Sequence, residues 1–404
     1  MATPRSVDVL VAGGGLAGST LAGVLARAGL GVLVVEKEAR FRDRVRGEVT
    51  WPWGVAEALR AGLGELFDLA GRVELPALLT YQEGQLVDTY RWETDSIDGL
   101  PGIGFSHPQL QETAIAWAQS GGATVVRPAK AIGLASDGEP VVTVVEDGRQ
   151  VDYRARLVVG ADGKRSMTRG WLGAQPVEDP EHHRFGGVVL SGVRSGREAV
   201  HWAPTPGATV SWFSRGADST RVYLRLTADR ITQTGVGRTV GAFVAFAAGF
   251  MPAGALEDVQ QAGPIGFFSN SNIWSSRIAG DHVVLVGDAA GALDPSQGLG
   301  TSLLFRDVRE LRDLLLADNH WDRAIGEFAT RRQRYYDVLR AYDRWCSLTE
   351  AEEGPEGDRR RELRDVARQK DPTLGGFATL EARGPDGLVP DEAARRRYFG
   401  EGPD

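Results

Sequence analysis

A chain of 404 residues with 42% hydrophobic content has room for two domains with substantial cores and reads as globular. Its net charge of −8 argues against nucleic acid as a partner, and a single cysteine, Cys346, excludes an internal disulfide and points to a reducing compartment. No apolar run approaches the roughly eighteen residues of a spanning helix, and a strand starting near residue 7 leaves no room for a signal peptide, so a cytoplasmic protein is expected.

The first predicted element is an apolar strand over residues 7–12, which runs into Gly13-Gly14-Gly15-Leu16-Ala17-Gly18. A helix of small residues follows over 19–28, then a second strand over 31–35 that ends at Glu36 and Lys37. Each glycine has a physical task. Gly13 allows the tight turn, Gly15 leaves room for phosphates, and Gly18 lets helix and strand approach closely. The helix N-terminus offers unpaired N–H groups to a pyrophosphate, and Glu36, 18 residues after Gly18, suits the hydroxyls of a ribose. This frame predicts a dinucleotide site but does not separate NAD from FAD.

Next come an arginine-rich loop over 39–48, a helix over 53–61, and short strands at 79–81 and 86–90. His107 precedes a helix over 108–119, and strands follow at 123–126 and 141–145, the latter closing on the hairpin turn Asp147-Gly148. A buried strand over 157–159 aims at a second signature, Gly160-Ala161-Asp162-Gly163. From 185 to 229 the pattern becomes alternating runs parted by turns, as in an antiparallel sheet. A strand over 281–286 then reaches a third signature, Gly287-Asp288-Ala289-Ala290, followed by helices over 300–316 and 322–350. Residues 351–404 are charged and rich in glycine and proline, and predict a loosely packed, partly helical extension.

The run from Gly287 through Asp294-Pro295-Ser296-Gln297-Gly298-Leu299-Gly300 resembles the second FAD motif of the p-hydroxybenzoate hydroxylase family of single-component FAD monooxygenases. Asp162-Gly163, with Arg165, Ser166 and Arg169, resembles the family motif that touches both flavin and nicotinamide nucleotide, and order and spacing agree over about residues 6–315. The resemblance implies an α/β fold: a Rossmann-like FAD-binding domain with an inserted antiparallel β-sheet substrate domain and C-terminal helices. The expected divisions are 1–180 and 271–350 for FAD, 181–270 for the sheet, and 351–404 for the extension.

Asp288, ending a buried strand, is expected at a ribityl hydroxyl, and the backbone of Gly298-Leu299-Gly300 at the N1/O2 edge of the flavin, where a helix dipole favours negative charge. Pro295 is expected to cover the reacting side of the ring. Arg46, in Arg46-Gly47-Glu48, sits where family members carry an arginine near the cofactor, and is favoured over Arg44. His107 replaces the usual Arg or Gln and is expected to be partly charged near neutral pH; Gly291 and Thr301 replace a common histidine and asparagine.

The family's activity implies NAD(P)H and O2 as co-substrates and a flavin C4a-hydroperoxide that hydroxylates or epoxidises an aromatic or polyketide-like small molecule. Trp202, Trp212, Phe213 and Tyr223 from the sheet, with Trp51 and Trp53 from the loop, are the candidate pocket wall, against core packing as the plain alternative. His182, His183 and His201 are weaker candidates for acid–base work, no catalytic base can be named, and no metal site is expected. Homo-oligomerisation stays open. Three other readings compete. A halogenase would carry Trp-x-Trp-x-Ile-Pro far into the chain, whereas Trp51-Pro52-Trp53 is early and lacks Ile-Pro. A reductase of the geranylgeranyl type lacks its aromatic substrate motif here, and a non-catalytic flavin-fold binder has no need of intact motifs.

Overall fold

The computed structural model describes residues 4–135, 138–196, 198–370 and 379–401. Arg5–Ala12 lies at the centre of a parallel sheet, with Val32–Val35 and Thr124–Val126 on one side and Arg149–Gly160 and Val283–Leu285 on the other. Val9 pairs with Val32 and with Leu157. Helices cover such a sheet on both faces, so its strands need continuous apolar runs. Val9, Leu10 and Val11 accordingly have no exposed surface. An antiparallel hairpin, Val141–Glu146 with Ala129–Ala135, extends the sheet from Arg149–Gly160.

The parallel strands all end at one edge. Ala12, Gly160 and Leu285 are therefore neighbours, and the three glycine signatures that follow them meet in one crevice. The first helix, Leu16–Arg27, lies close because Gly18 has no side chain: a Cβ there would sit 1.9 Å from the Gly13 carbonyl oxygen.

The second layer is a mostly antiparallel sheet in the order Gln260–Gln261, Arg184–Ser191, Thr220–Leu226, Ala208–Ser214, Val200–Thr205, Ala77–Gln82 and Gln85–Arg91. It draws in the hairpin from residues 77–91, which joins through a parallel pairing of Val200–Thr205 with Ala77–Gln82. Strand periodicity divides its side chains. Val188, Leu190, Val210, Trp212, Val222 and Leu224 pack on the helix Val240–Ala248 through Phe243 and Ala247. Phe185, Phe213 and Tyr223 point the other way, into a core shared with Leu293, Leu299 and the C-terminal helices.

The tail differs from the expected loose extension. Beyond the 26-residue helix Trp321–Cys346 come helices Pro355–Lys370, Leu380–Arg383 and Glu392–Phe399. Leu380, Ala382, Tyr398 and Phe399 are each at most 2% exposed and join the same core. Charge dominates that stretch of sequence, but a few apolar side chains at the right spacing suffice to dock it.

Candidate active site

The crevice holds a groove of about 390 Å³ along the first signature. Gly13 adopts φ +105°, and a Cβ there would lie 2.5 Å from the Ala161 carbonyl oxygen, so the first and second signatures touch through bare backbone. Above Gly15, by contrast, the space is open: its Cβ would meet only Gln111 Nε2, at 3.7 Å. Gly15 N-caps the helix from Leu16, and Leu16 and Ala17 supply its first N–H groups. Glu36 accepts bonds from the backbone N–H of Gly14 (2.7 Å) and of Glu38 (2.7 Å), which fixes its carboxylate at the groove wall beside Lys37.

Asp162 lines the same groove, with its carboxylate committed to the chain. It accepts from Ser166 Oγ (2.5 Å) and from the N–H groups of Met167 (2.7 Å) and Thr168 (3.0 Å), capping the helix Met167–Trp171. Arg169 in that helix donates through Nε and Nη2 to the Ala289 carbonyl (3.1 and 2.8 Å), tying the second signature to the third.

Asp288 is exposed and its side chain makes no hydrogen bond among the described residues. After it the backbone turns at Pro295–Gln297, passes Gly298 at φ +65°, and enters the helix Gly300–Ala317 at Leu299. Trp51 props this loop by donating from Nε1 to the Gln297 carbonyl (2.8 Å). Beneath it lies a buried network that sequence reading missed. Asp307 accepts from Gly287 N (2.8 Å), Arg332 Nε (2.9 Å) and the Tyr335 hydroxyl (2.7 Å), while Arg332 Nη2 reaches the carbonyls of Gly287 and Gly291.

Arg46 is exposed at the groove and its side chain is unpaired among the described residues, whereas Arg44 is engaged with Glu38 (2.6 Å). The loop carrying them is pinned to the sheet: Arg221, fully buried, donates to Glu48 (2.7 Å) and Asp43 (2.7 Å), and Tyr223 donates to the Arg46 carbonyl.

His107 departs from expectation. Burial, and then the Arg46 charge, push its pKa down to about 4, so it is neutral rather than partly charged near pH 7. Nδ1 lies 2.8 Å from the Gly47 carbonyl, which can only accept; Nδ1 therefore carries the hydrogen and Nε2 presents a lone pair.

The aromatic candidates separate by strand face. Phe213 and Tyr223 are on the face toward Leu293 and Leu299, and Trp202 shares it, being paired with Ser211 opposite Tyr223. Trp212 does not: it lies on the far face, stacked on His201 at 4.8 Å, with no exposed surface, so both residues are core and neither is pocket wall. Trp53 is also core, 1% exposed beneath Gly384 of the tail.

These residues suit a flavin adenine dinucleotide: an open cradle over Gly15, a helix N-terminus, a fixed carboxylate on the groove wall, and an exposed Asp288 in the loop that leads to a second helix. The chain belongs to the family described as FAD binding domain, whose model matches residues 6–319. It is a flavoprotein oxidoreductase of the FAD-dependent monooxygenase type, with FAD as its cofactor. It is 28% identical over 362 residues to the ubiquinone hydroxylase UbiL of Rhodospirillum rubrum, covering 85% of this chain and 80% of that one. Its fold resembles p-nitrophenol 4-monooxygenase PnpA from Pseudomonas putida (TM-score 0.77, 18% identity, 98% and 99% of the two chains covered). It also resembles the flavin-dependent brominase Bmp2 (TM-score 0.74, 15% identity, 97% and 98% covered). At such identities the fold alone is shared. No helix among the described residues is long and apolar enough to cross a membrane.

Proposed function

We propose that the protein uses NAD(P)H and O2 to hydroxylate or epoxidise an aromatic or polyketide-like small molecule. The observation carrying this reading is the sheet face of Phe213 and Tyr223, which shares one core with Leu293 and Leu299, with half-buried Trp202 on the same face. Aromatic rings on this face, beside the ion-paired Arg221, suit a flat aromatic substrate and keep water from the reacting centre. Bound FAD supplies the two-electron reduction and the activation of oxygen. The chain's residues do the rest. Arg46, exposed and unpaired, offers a cation at the groove to an incoming nicotinamide dinucleotide. Asp288 would accept from a ribityl hydroxyl, and the first N–H groups of the helix Gly300–Ala317 would favour the negative charge of reduced flavin.

Labelled O2 tests the reading. Product carrying one labelled atom, with NAD(P)H oxidation that requires O2, is the expected outcome. Product oxygen derived from water, or a chloride- or bromide-dependent product that gains no oxygen, overturns it, the latter in favour of a halogenase.

A further inference from the structure

The long helix Trp321–Cys346 and the turn that continues it, Ser347–Ala351, run along the flavin loop and are bonded to it at both ends. Tyr336 donates from its hydroxyl to the Ala292 carbonyl (3.2 Å), and Glu350 Oε2 accepts from Gln297 Nε2 (3.2 Å). Asp343 stands between them, about two turns from each, within electrostatic reach of Asp294 in the loop. Here the bonding stops. Asp343 is 1% exposed, yet neither of its carboxyl oxygens has a hydrogen-bond partner. An enclosed polar group normally finds a partner, so one left without it marks a place where a bound group supplies the bond.

The surroundings of Asp343 are acidic and border the aromatic wall. Burial, and then the neighbouring carboxyls of Asp294, Glu381 and Glu350, push its own carboxyl well above the usual range. The arginines nearby are engaged elsewhere: Arg225 donates to Glu350 (3.3 Å) and Thr209 (2.6 Å), and Arg340 to Asp179 (2.9 Å). Arg225 follows Tyr223 by two residues on one strand, and so shares its face. Tyr342 and Cys346, from the same part of the helix as Asp343, join the core of Phe213 and Tyr223. Among the described residues, no group of three or more acidic, histidine or cysteine side chains could hold a metal ion. Carboxyls that act on one another without converging on a point suit a larger, organic cation.

We propose that Asp343 anchors a protonated amine on the substrate, whose aromatic ring rests against the face of Phe213 and Tyr223. The proposal rests on the monooxygenase reading of this pocket and narrows its substrate class to aromatic compounds that carry a basic nitrogen. An ammonium group brings the hydrogen-bond donors that both oxygens of Asp343 lack. It also brings the positive charge that the three neighbouring carboxyls favour, and charge-assisted bonds are the stronger kind. A carboxylate or phosphate on the substrate would meet repulsion at this point, and a neutral hydroxyl would gain a bond without the charge.

The test uses the FAD-loaded full chain and aromatic probes matched in all but one group: tyramine with its alcohol tyrosol, tryptamine with its alcohol tryptophol, and 4-hydroxyphenylacetate as the anion. Binding is read from the change in flavin absorbance on titration, without NAD(P)H. At least one amine should bind roughly tenfold or more tightly than its alcohol, and the anion more weakly than either partner of the tyramine pair. Asp343→Asn should remove the preference for the amine and leave binding of the alcohol as it was; Asp343→Ser serves if the asparagine variant retains too little FAD. No amine preference in either pair, as when buried water alone completes Asp343, overturns the proposal, and so does a preference that survives in both variants. Because nothing turns over in this experiment, that result leaves the labelled-oxygen test untouched, and a failed labelling test leaves the binding preference readable.

Discussion

Arg332 Nε lies 2.9 Å from Asp307 Oδ2, and both side chains are sealed from solvent, 2% and 0% exposed. The pair joins the two long helices Gly300–Ala317 and Trp321–Cys346 and, through Gly287, the start of the flavin loop. Removing one partner strands a buried charge. Asp307→Ala should cost about 3–5 kcal/mol in unfolding experiments. Asp307→Asn, which keeps an oxygen for Gly287 N, should cost less and still weaken FAD binding. Equal stability of Asp307→Ala and wild type in denaturant titrations would refute the role.

Glu36 and Asp288 should separate binding from folding. Each is expected to lose about 1.5–3 kcal/mol of FAD affinity on replacement by alanine, read as Kd by fluorescence titration. Asp288→Ala should leave the apo chain as stable as before, because its side chain makes no hydrogen bond among the described residues. Glu36→Ala should also destabilise the apo chain, since it orphans the N–H groups of Gly14 and Glu38. Full FAD retention by both variants contradicts the assignment.

Gly15→Val places a branched side chain in the open space over the turn. The purified variant should be colourless, and its melting temperature should no longer respond to added FAD. At 100-fold excess over Kd, the wild type should gain about 2.7 kcal/mol from the same addition. A yellow Gly15→Val protein would show that the turn is structural only.

Acid should destabilise this fold through two histidines that desolvation holds neutral. His107 and His183 have pKa values lowered to about 4 from an ordinary 6.5, so the unfolded chain binds protons that the folded chain refuses. Stability from these groups is complete above pH 6.5 and falls as pH drops from 6.5 toward 4. Melting temperatures measured across that window should decline less steeply in His107→Gln and His183→Gln. Parallel curves for all three proteins would rule out His107 and His183 as the source.

Two tryptophans on adjacent strands should behave oppositely. Trp212→Ala empties a core position and should cost about 3–5 kcal/mol of stability. Trp202→Ala, at a half-buried position on the same face as Phe213 and Tyr223, should alter KM or coupling of NAD(P)H oxidation more than stability. Similar losses of stability in denaturant titrations would contradict the division of faces.

The sequence by itself determined the first strand, turn and helix, the carboxylate of Glu36 at the groove, and the turn that leads from Asp288 into the helix at Gly300. Those features are local: a turn that needs φ +105° at Gly13, or a helix that leaves its first N–H groups free, is specified by a few neighbouring residues. It also placed the alternating strands of 185–229. Tertiary structure alone decided what those strands face. A period of two states that Trp212 and Phe213 point to opposite sides, but only the docked layers show that Trp212 meets Phe243 and Phe213 meets the flavin loop's core. His107 looked half-charged in sequence because its neutrality comes from enclosure and from Arg46, 61 residues earlier. The same holds for Arg332 with Asp307, for Arg221 with Glu48, and for the tail, whose charged residues gave no sign that Leu380 and Phe399 would be buried. Contacts between distant segments depend on shape and desolvation, and neither is written in local spacing.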